Sequence, residues 1–273
     1  MRRNPSEITK LPNRRSLTLG VALAATLITA GCTIPTGTAE SAAAVTPAAA
    51  PASAPAVEPL AGKVVFLDPG HNGANDDTIN TQVPTGRGGT KNCQTTGTNT
   101  DAGFPEHTFN WEVTSLVKSE LEAEGATVLL SRPDDTSVAS CVDARAEAAN
   151  ASGADIVVSI HADGADASAE GFHVCYSAPP LNPVQAGPSV TLAETMRDSL
   201  TGAGLTPSTY IGENGLSPRA DLTGLNLAQR PSILVELGNM RNADEAARMS
   251  SPAGQAEYAS AISDGVQVYL TTR

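Results

Sequence analysis

Four stretches of this chain are too apolar and too rich in β-branched residues to lie anywhere but inside a covered sheet. They are Lys63 to Asp68 (KVVFLD), Ala126 to Ser131 (ATVLLS), Asp155 to His161 (DIVVSIH) and Ser232 to Leu237 (SILVEL). A strand with one wet face alternates apolar and polar residues, whereas a near-continuous apolar run is buried on both faces. A further strand is expected at Glu170 to Ser177. Helical periodicity fills the intervals. Pro105 to Glu122 places Phe109, Val113, Leu116, Val117 and Leu121 on one face, and further helices are expected over 138–151, 190–201, 242–249 and 253–270. Strands alternating with helices predict an α/β fold. We expect a single domain with a mostly parallel twisted central sheet of about six strands and helices on both faces. Residues 208–230 are expected to form short strands or loops. Aromatics are only 3% of the chain, so the core must be built from Val, Ile, Leu and Ala.

The first 60 residues do not share this pattern. Arg2, Arg3, Lys10, Arg14 and Arg15 precede an apolar run from Leu17 to Ala30. That run is too short to cross a hydrocarbon core of about 30 Å and has the form of a signal peptide over residues 1–31. Arg14-Arg15 resembles a twin-arginine export signal. Ile28-Thr29-Ala30-Gly31-Cys32 resembles a lipobox, with Thr29 where Leu is usual. Lipidation of Cys32 would tether the protein to a membrane; ordinary cleavage would release it. Residues 32–60, rich in Pro, Ala and Thr, are expected to be a disordered tether because such composition cannot bury a core. The folded domain would then be 61–273. The net charge of −12 excludes nucleic acid as an expected partner, since phosphate binding needs a basic face. In an exported chain, Cys93 and Cys141 are expected to form a disulfide, with Cys175 buried and free. No C-x-x-C is present.

In parallel sheets, sites collect beyond the carboxyl ends of strands. His71 follows the first apolar strand, His161 ends DIVVSIH, and Glu236 lies within SILVEL. Glu106 sits in the first turn of the helix after a long Gly- and Asn-rich loop. Two histidines and a carboxylate are a common catalytic zinc set that leaves a position for water, and a further glutamate could move that water's proton. Singly, each has a plainer reading. A His after a strand is usually a loop or core residue, and a Glu at a helix start favours the macrodipole. Glu236 stands apart, because an unpaired carboxylate in an apolar strand is costly. Their spacing forms no local metal motif.

Four segments carry a resemblance: VVFLDPGHNG from Val64, EHTFN from Glu106, VVSIHADG from Val157 and ILVELGNMRNADEA from Ile233. Together they resemble, in order, the zinc-dependent N-acetylmuramoyl-L-alanine amidases, bacterial cell-wall enzymes of the Amidase_3 family. The resemblance implies zinc ligands at His71, Glu106 and His161 and a catalytic glutamate at Glu236. Glu106 is preferred to Glu112 because Asn110 follows it at the family's spacing. His107 and His173 are left outside the site, and Asn72 stands where the family often has Gly. The implied reaction is hydrolysis of the amide between N-acetylmuramic acid and L-alanine in peptidoglycan or its muropeptide fragments, in the cell envelope. Some family members carry a long inhibitory helix, but Ala178 to Ser189 is short and proline-rich, so a monomer needing no activator is expected. Two other readings stay open. One is a different zinc amide hydrolase of peptidoglycan, a peptidase or deacetylase. The other is a non-catalytic wall-binding lipoprotein.

Overall fold

The computed structural model describes residues 58–272, so the expected signal peptide and most of the expected tether lie outside the described residues. In chain order the elements are β1 (Val64–Pro69), a 3-10 turn (Asp77–Asn80), β2 (Gln82–Pro84), β3 (Thr90–Asn92), α1 (Glu106–Ala123), β4 (Thr127–Leu130) and α2 (Val142–Ala151). There follow β5 (Ile156–Asp163), β6 (His173–Ser177), α3 (Pro183–Ala186), α4 (Pro188–Gly202), β7 (Leu216–Arg219), α5 (Thr223–Asn226), β8 (Ser232–Asn239), α6 (Ala243–Met249) and α7 (Pro252–Thr271). Leu60, at the end of the expected tether, is fully buried in the core, and its N–H donates to the Glu124 carbonyl.

Six strands form one sheet in the order β4-β1-β5-β8-β6-β7, and β2 and β3 form a separate antiparallel hairpin. β4, β1, β5 and β8 run parallel; β6 is antiparallel to β8, and β7 is parallel to β6. The sheet is thus mostly parallel with a reversed pair at one edge. The reversal follows from chain length. Only residues 164–172 join β5 to β6, and a parallel crossover needs about a dozen residues or more.

Alternation along the central strands separates two faces. Val65 and Leu67 of β1, Ile156, Val158, Ile160 and Ala162 of β5, and Ile233, Val235 and Leu237 of β8 all enter the main core. There they meet Phe109, Val113, Val117 and Leu121 of α1, Leu192 and Met196 of α4, and Tyr258 and Ile262 of α7. Phe109 and Tyr258 pack edge to face at 5.6 Å. Leu116, expected on the buried face of α1, is 36% exposed and sits at its margin. The intervening residues face the other side. Phe66 packs with Ala149 of α2, and Leu234 packs with Leu225 of α5. Those two helices are short, and α2 presents mainly alanines, so this face is less filled.

Two loops differ from the sequence reading. The helix expected from Val138 begins at Val142, because the Asp134 carboxylate accepts from the N–H groups of Thr136 and Ser137 and holds 134–137 as a turn. The 72–104 excursion contains the β2–β3 hairpin, which the sequence did not indicate, while Cys93 is disulfide-bonded to Cys141 at the start of α2 as expected. Cys175 is free and buried.

The turn after β1 is held by two buried arginines. Arg145 of α2 donates to Asp68 (2.8 Å), to the carbonyls of Pro69 (3.0 Å), His71 (2.7 Å) and Ser140 (3.0 Å), and to Asn72 Oδ1 (2.7 Å). Arg132 donates to the carbonyls of Pro69, Asp134 and His107 and to Asp135, with its guanidinium 5.2 Å from the Trp111 ring. His71 needs this support, because its φ of 62° lies in the left-handed region that side-chain-bearing residues avoid. Asn72, where the family often has Gly, is itself fully buried and serves as one of the acceptors for Arg145.

Three predictions follow from these anchors. Opening the 48-residue loop closed by the disulfide removes about 4 kcal/mol on the chain-entropy account, so Cys93→Ser should unfold at lower guanidinium in the oxidised protein and show no further loss with reductant. Equal midpoints for wild type and variant would show that the bridge does not stabilise the fold. Arg145→Met strands the Asp68 carboxylate, and breaking such a pair costs about 3–5 kcal/mol in denaturant unfolding. The Asp68 pKa is lowered to about 2: burial works against ionisation, but the charge of Arg145 and the hydroxyls of Ser131 and Ser159 outweigh it. A lowered carboxylate pKa stabilises above the unfolded value of 3.8 and loses that stability as pH falls towards 2. Asp68→Asn should therefore show a smaller stability difference between pH 6 and pH 2.5, by about 2 kcal/mol.

Candidate metal centre

His71, Glu106 and His161 come from three different elements and meet at the carboxyl end of the sheet. The β1 turn delivers His71, the first turn of α1 delivers Glu106, and β5 delivers His161 on the face opposite the main core. One ligand atom from each lies within 4.8 Å of the others. His71 Nε2 is 2.9 Å and His161 Nδ1 3.0 Å from Glu106 Oε1.

The surroundings fix each ligand. His71 Nδ1 donates to the Thr95 carbonyl at 2.8 Å, which leaves Nε2 with its lone pair towards Glu106. Glu106 Oε2 accepts from the Thr98 N–H at 2.9 Å. Asn110, one helical turn on, donates through Nδ2 to Glu106 Oε1 at 3.3 Å and to the Gly70 carbonyl at 3.4 Å. That contact explains the Glu-to-Asn spacing in the sequence. Two glycines are required by crowding. A Cβ at Gly97, whose φ is +78°, would meet Glu106 Oε2 at 2.7 Å, and one at Gly70 would meet the His161 ring at 2.2 Å.

Burial alone would push the Glu106 carboxyl up, but the two histidines reverse this and hold it well below the ordinary range. Burial disfavours the charged form of His71, yet the hydrogen bond and charge of Glu106 raise its pKa. A carboxylate wedged between two imidazoles, all three with little solvent, fits a divalent cation. Two nitrogens and one oxygen suit zinc or a related metal and leave one position for water.

Glu236 adjoins this cluster. It is the register partner of His161 on β8, and its Oε2 is buried with no hydrogen-bond partner among the described residues. Burial raises its pKa well above the ordinary carboxylate value, and the charges of Glu106 and Asp163 add to the rise. A cavity of about 430 Å³ holds all four residues and continues between the sheet and α2 past Phe66, Val157, Leu234 and Ala149.

The other candidates fall elsewhere. His107 points away from the cluster, with Nδ1 2.9 Å from Asp135. Glu112 is held by Gln255 of α7. His173 is buried in β6 and is not among the ligands. Sequence reasoning missed Asp68, Arg145 and Arg132, which hold the backbone under His71, and Thr95, which sets its ring.

Comparisons with known proteins identify the family. The family model described as N-acetylmuramoyl-L-alanine amidase matches residues 65–268. The chain is 56% identical over 214 residues to N-acetylmuramoyl-L-alanine amidase Rv3717 of Mycobacterium tuberculosis, covering 78% of this chain and 89% of that protein. It is similar to the crystal structure of the N-acetylmuramyl-L-alanine amidase Ami1 from Mycobacterium smegmatis, with TM-score 0.78 and 55% identity over 78% of this chain and 99% of that one. The apo form of Ami1 from Mycobacterium abscessus gives TM-score 0.77 and 57% identity, over 77% and 100% of the two chains. With more than half of its length matched to the family model and such identity over nearly the whole of its relatives, the chain belongs to the N-acetylmuramoyl-L-alanine amidase family.

Proposed function

We propose that this protein is a zinc-dependent amidase that hydrolyses the bond between N-acetylmuramic acid and the L-alanine of the peptidoglycan stem. The observation that carries the reading is the convergence of His71, Glu106 and His161 with Glu236 beside them in one cavity. His71, Glu106 and His161 would hold the zinc. When bound, it supplies Lewis acidity, bringing a water's pKa towards neutrality and polarising the amide carbonyl.

The remaining steps belong to the protein. Glu236 accepts the proton of the attacking water, and the same carboxyl then protonates the departing L-alanine amine. Its pKa, raised chiefly by burial, suits a group that must both take and return a proton. Thr95 and Asn110 keep the ligands in place, and Arg145 keeps the His71 backbone in its unfavourable conformation. No covalent intermediate is required. None of residues 178–189 lines the cavity, and α3 within that segment has only 4 residues, which supports activity without an activator. Export, with or without a lipid on Cys32, is part of the same proposal. Among the described residues no helix is long and apolar enough to cross a membrane.

The test is mass spectrometry of muropeptides after incubation with the purified protein. Free stem peptides beginning at L-alanine should appear, vanish with a chelator and return with zinc. Glu236→Gln should lower the rate by about 10²- to 10⁴-fold while retaining zinc. Cleavage inside the stem peptide would overturn the bond assignment, and undiminished cleavage after complete metal removal would overturn the zinc mechanism.

A further inference from the structure

Glu236 stands in a row of three side chains across the sheet. On β5 its register partner is His161; on β6 it is His173. Their strand neighbours Ile160, Val235 and Val174 enter the main core, so all three side chains project to the opposite face. His161 belongs to the metal cluster. His173 does not, yet it is only 1% exposed.

Two unpartnered atoms lie in this row. His173 Nδ1 and Glu236 Oε2 are both buried, and neither has a hydrogen-bond partner among the described residues. Buried polar side-chain atoms are satisfied in the large majority of cases. Directly opposed residues of an antiparallel pair have Cβ atoms about 4.5–5.5 Å apart, which brings a His and a Glu within reach of one another or of one shared water. We infer that His173 is a positioning residue whose Nδ1–H holds Oε2 of Glu236 through one bridging water, and so leaves Oε1 to face the attacking water.

The environment of His173 fits that part. Burial keeps its pKa down at about 4, so the ring is neutral near pH 7 and can donate without placing a cation beside the proposed base. The ring packs edge to face on Tyr210 at 6.0 Å, and the Tyr210 hydroxyl donates to Asp163 Oδ2 at 3.1 Å. Asp163 ends β5 just past His161. The ring is therefore braced by Tyr210, which is itself tied to the end of β5. A histidine serving only to fill space would leave its Nδ1 without purpose in the core. The inference rests on the proposed role of Glu236 as the proton carrier.

Three substitutions separate the donor from the bulk. His173→Asn keeps an N–H near the Nδ1 position, His173→Gln moves it towards the Nε2 position, and His173→Phe removes it. With the full-length zinc enzyme and a muropeptide substrate, kcat should fall about 10- to 100-fold in the Phe and Gln variants, as for outer partners of metal sites. KM should stay within about 2-fold, and the Asn variant should recover most of kcat. Zinc stoichiometry and melting temperature of the Asn and Gln variants should match. Independently of activity, the ¹⁵N imidazole spectrum should show His173 protonated at Nδ1, with that signal shifted by Glu236→Gln. Full kcat in the Phe variant, equal losses in Asn and Gln, losses that follow zinc content, or an unprotonated Nδ1 would each overturn the inference. If Glu236→Gln is inactive while His173→Phe is fully active, this inference alone fails. If Glu236→Gln is itself fully active, the proton-carrier reading fails and the inference falls with it.

Discussion

The period of two along β1, β5 and β8 is the constraint on which everything else in this domain rests. One set of alternate residues supplies Val, Ile and Leu to a core shared with α1, α4 and α7. The other set supplies Phe66, Asp68, Val157, Ser159, His161, Leu234 and Glu236 to the cavity. A slip of one residue in any of these strands would exchange the two sets. The chemistry is therefore positioned by the same apolar residues that stabilise the fold. This is why charged groups survive inside strands that read as continuously hydrophobic.

Much of this was legible beforehand because the strands are so strongly biased. Runs such as KVVFLD and DIVVSIH have no reasonable place except a central sheet, and the helices between them have clear apolar faces. The reversal of β6 and β7 was less visible. It depends on the length of a connection rather than on the character of any strand. The hairpin at 82–92 was missed for a related reason, since its strands are too short for periodicity to register, whereas the short strand at 216–219 falls within the stretch expected to hold short strands or loops.

The cluster of His71, Glu106 and His161 was legible only through the family resemblance, because its members are joined by topology and not by local spacing. Its supports were harder still. The argument that singled out Glu236, a carboxylate in an apolar strand, applies equally to Asp68, which the same reading passed over. Arg145 lies in an alanine-rich helix where an arginine would ordinarily be taken for a surface residue; it is 4% exposed. Its five donated bonds can be seen only when the backbone of the turn after β1 is in view.

The disulfide has a consequence beyond stability. Thr95, whose carbonyl orients the His71 ring, follows Cys93 almost directly in the chain. The covalent link to α2 thus anchors the segment that selects which imidazole nitrogen faces Glu106. In a reducing compartment that anchor is open, and in an oxidising one it is closed. The disulfide therefore ties the loop that orients the His71 ring to the redox state of its surroundings.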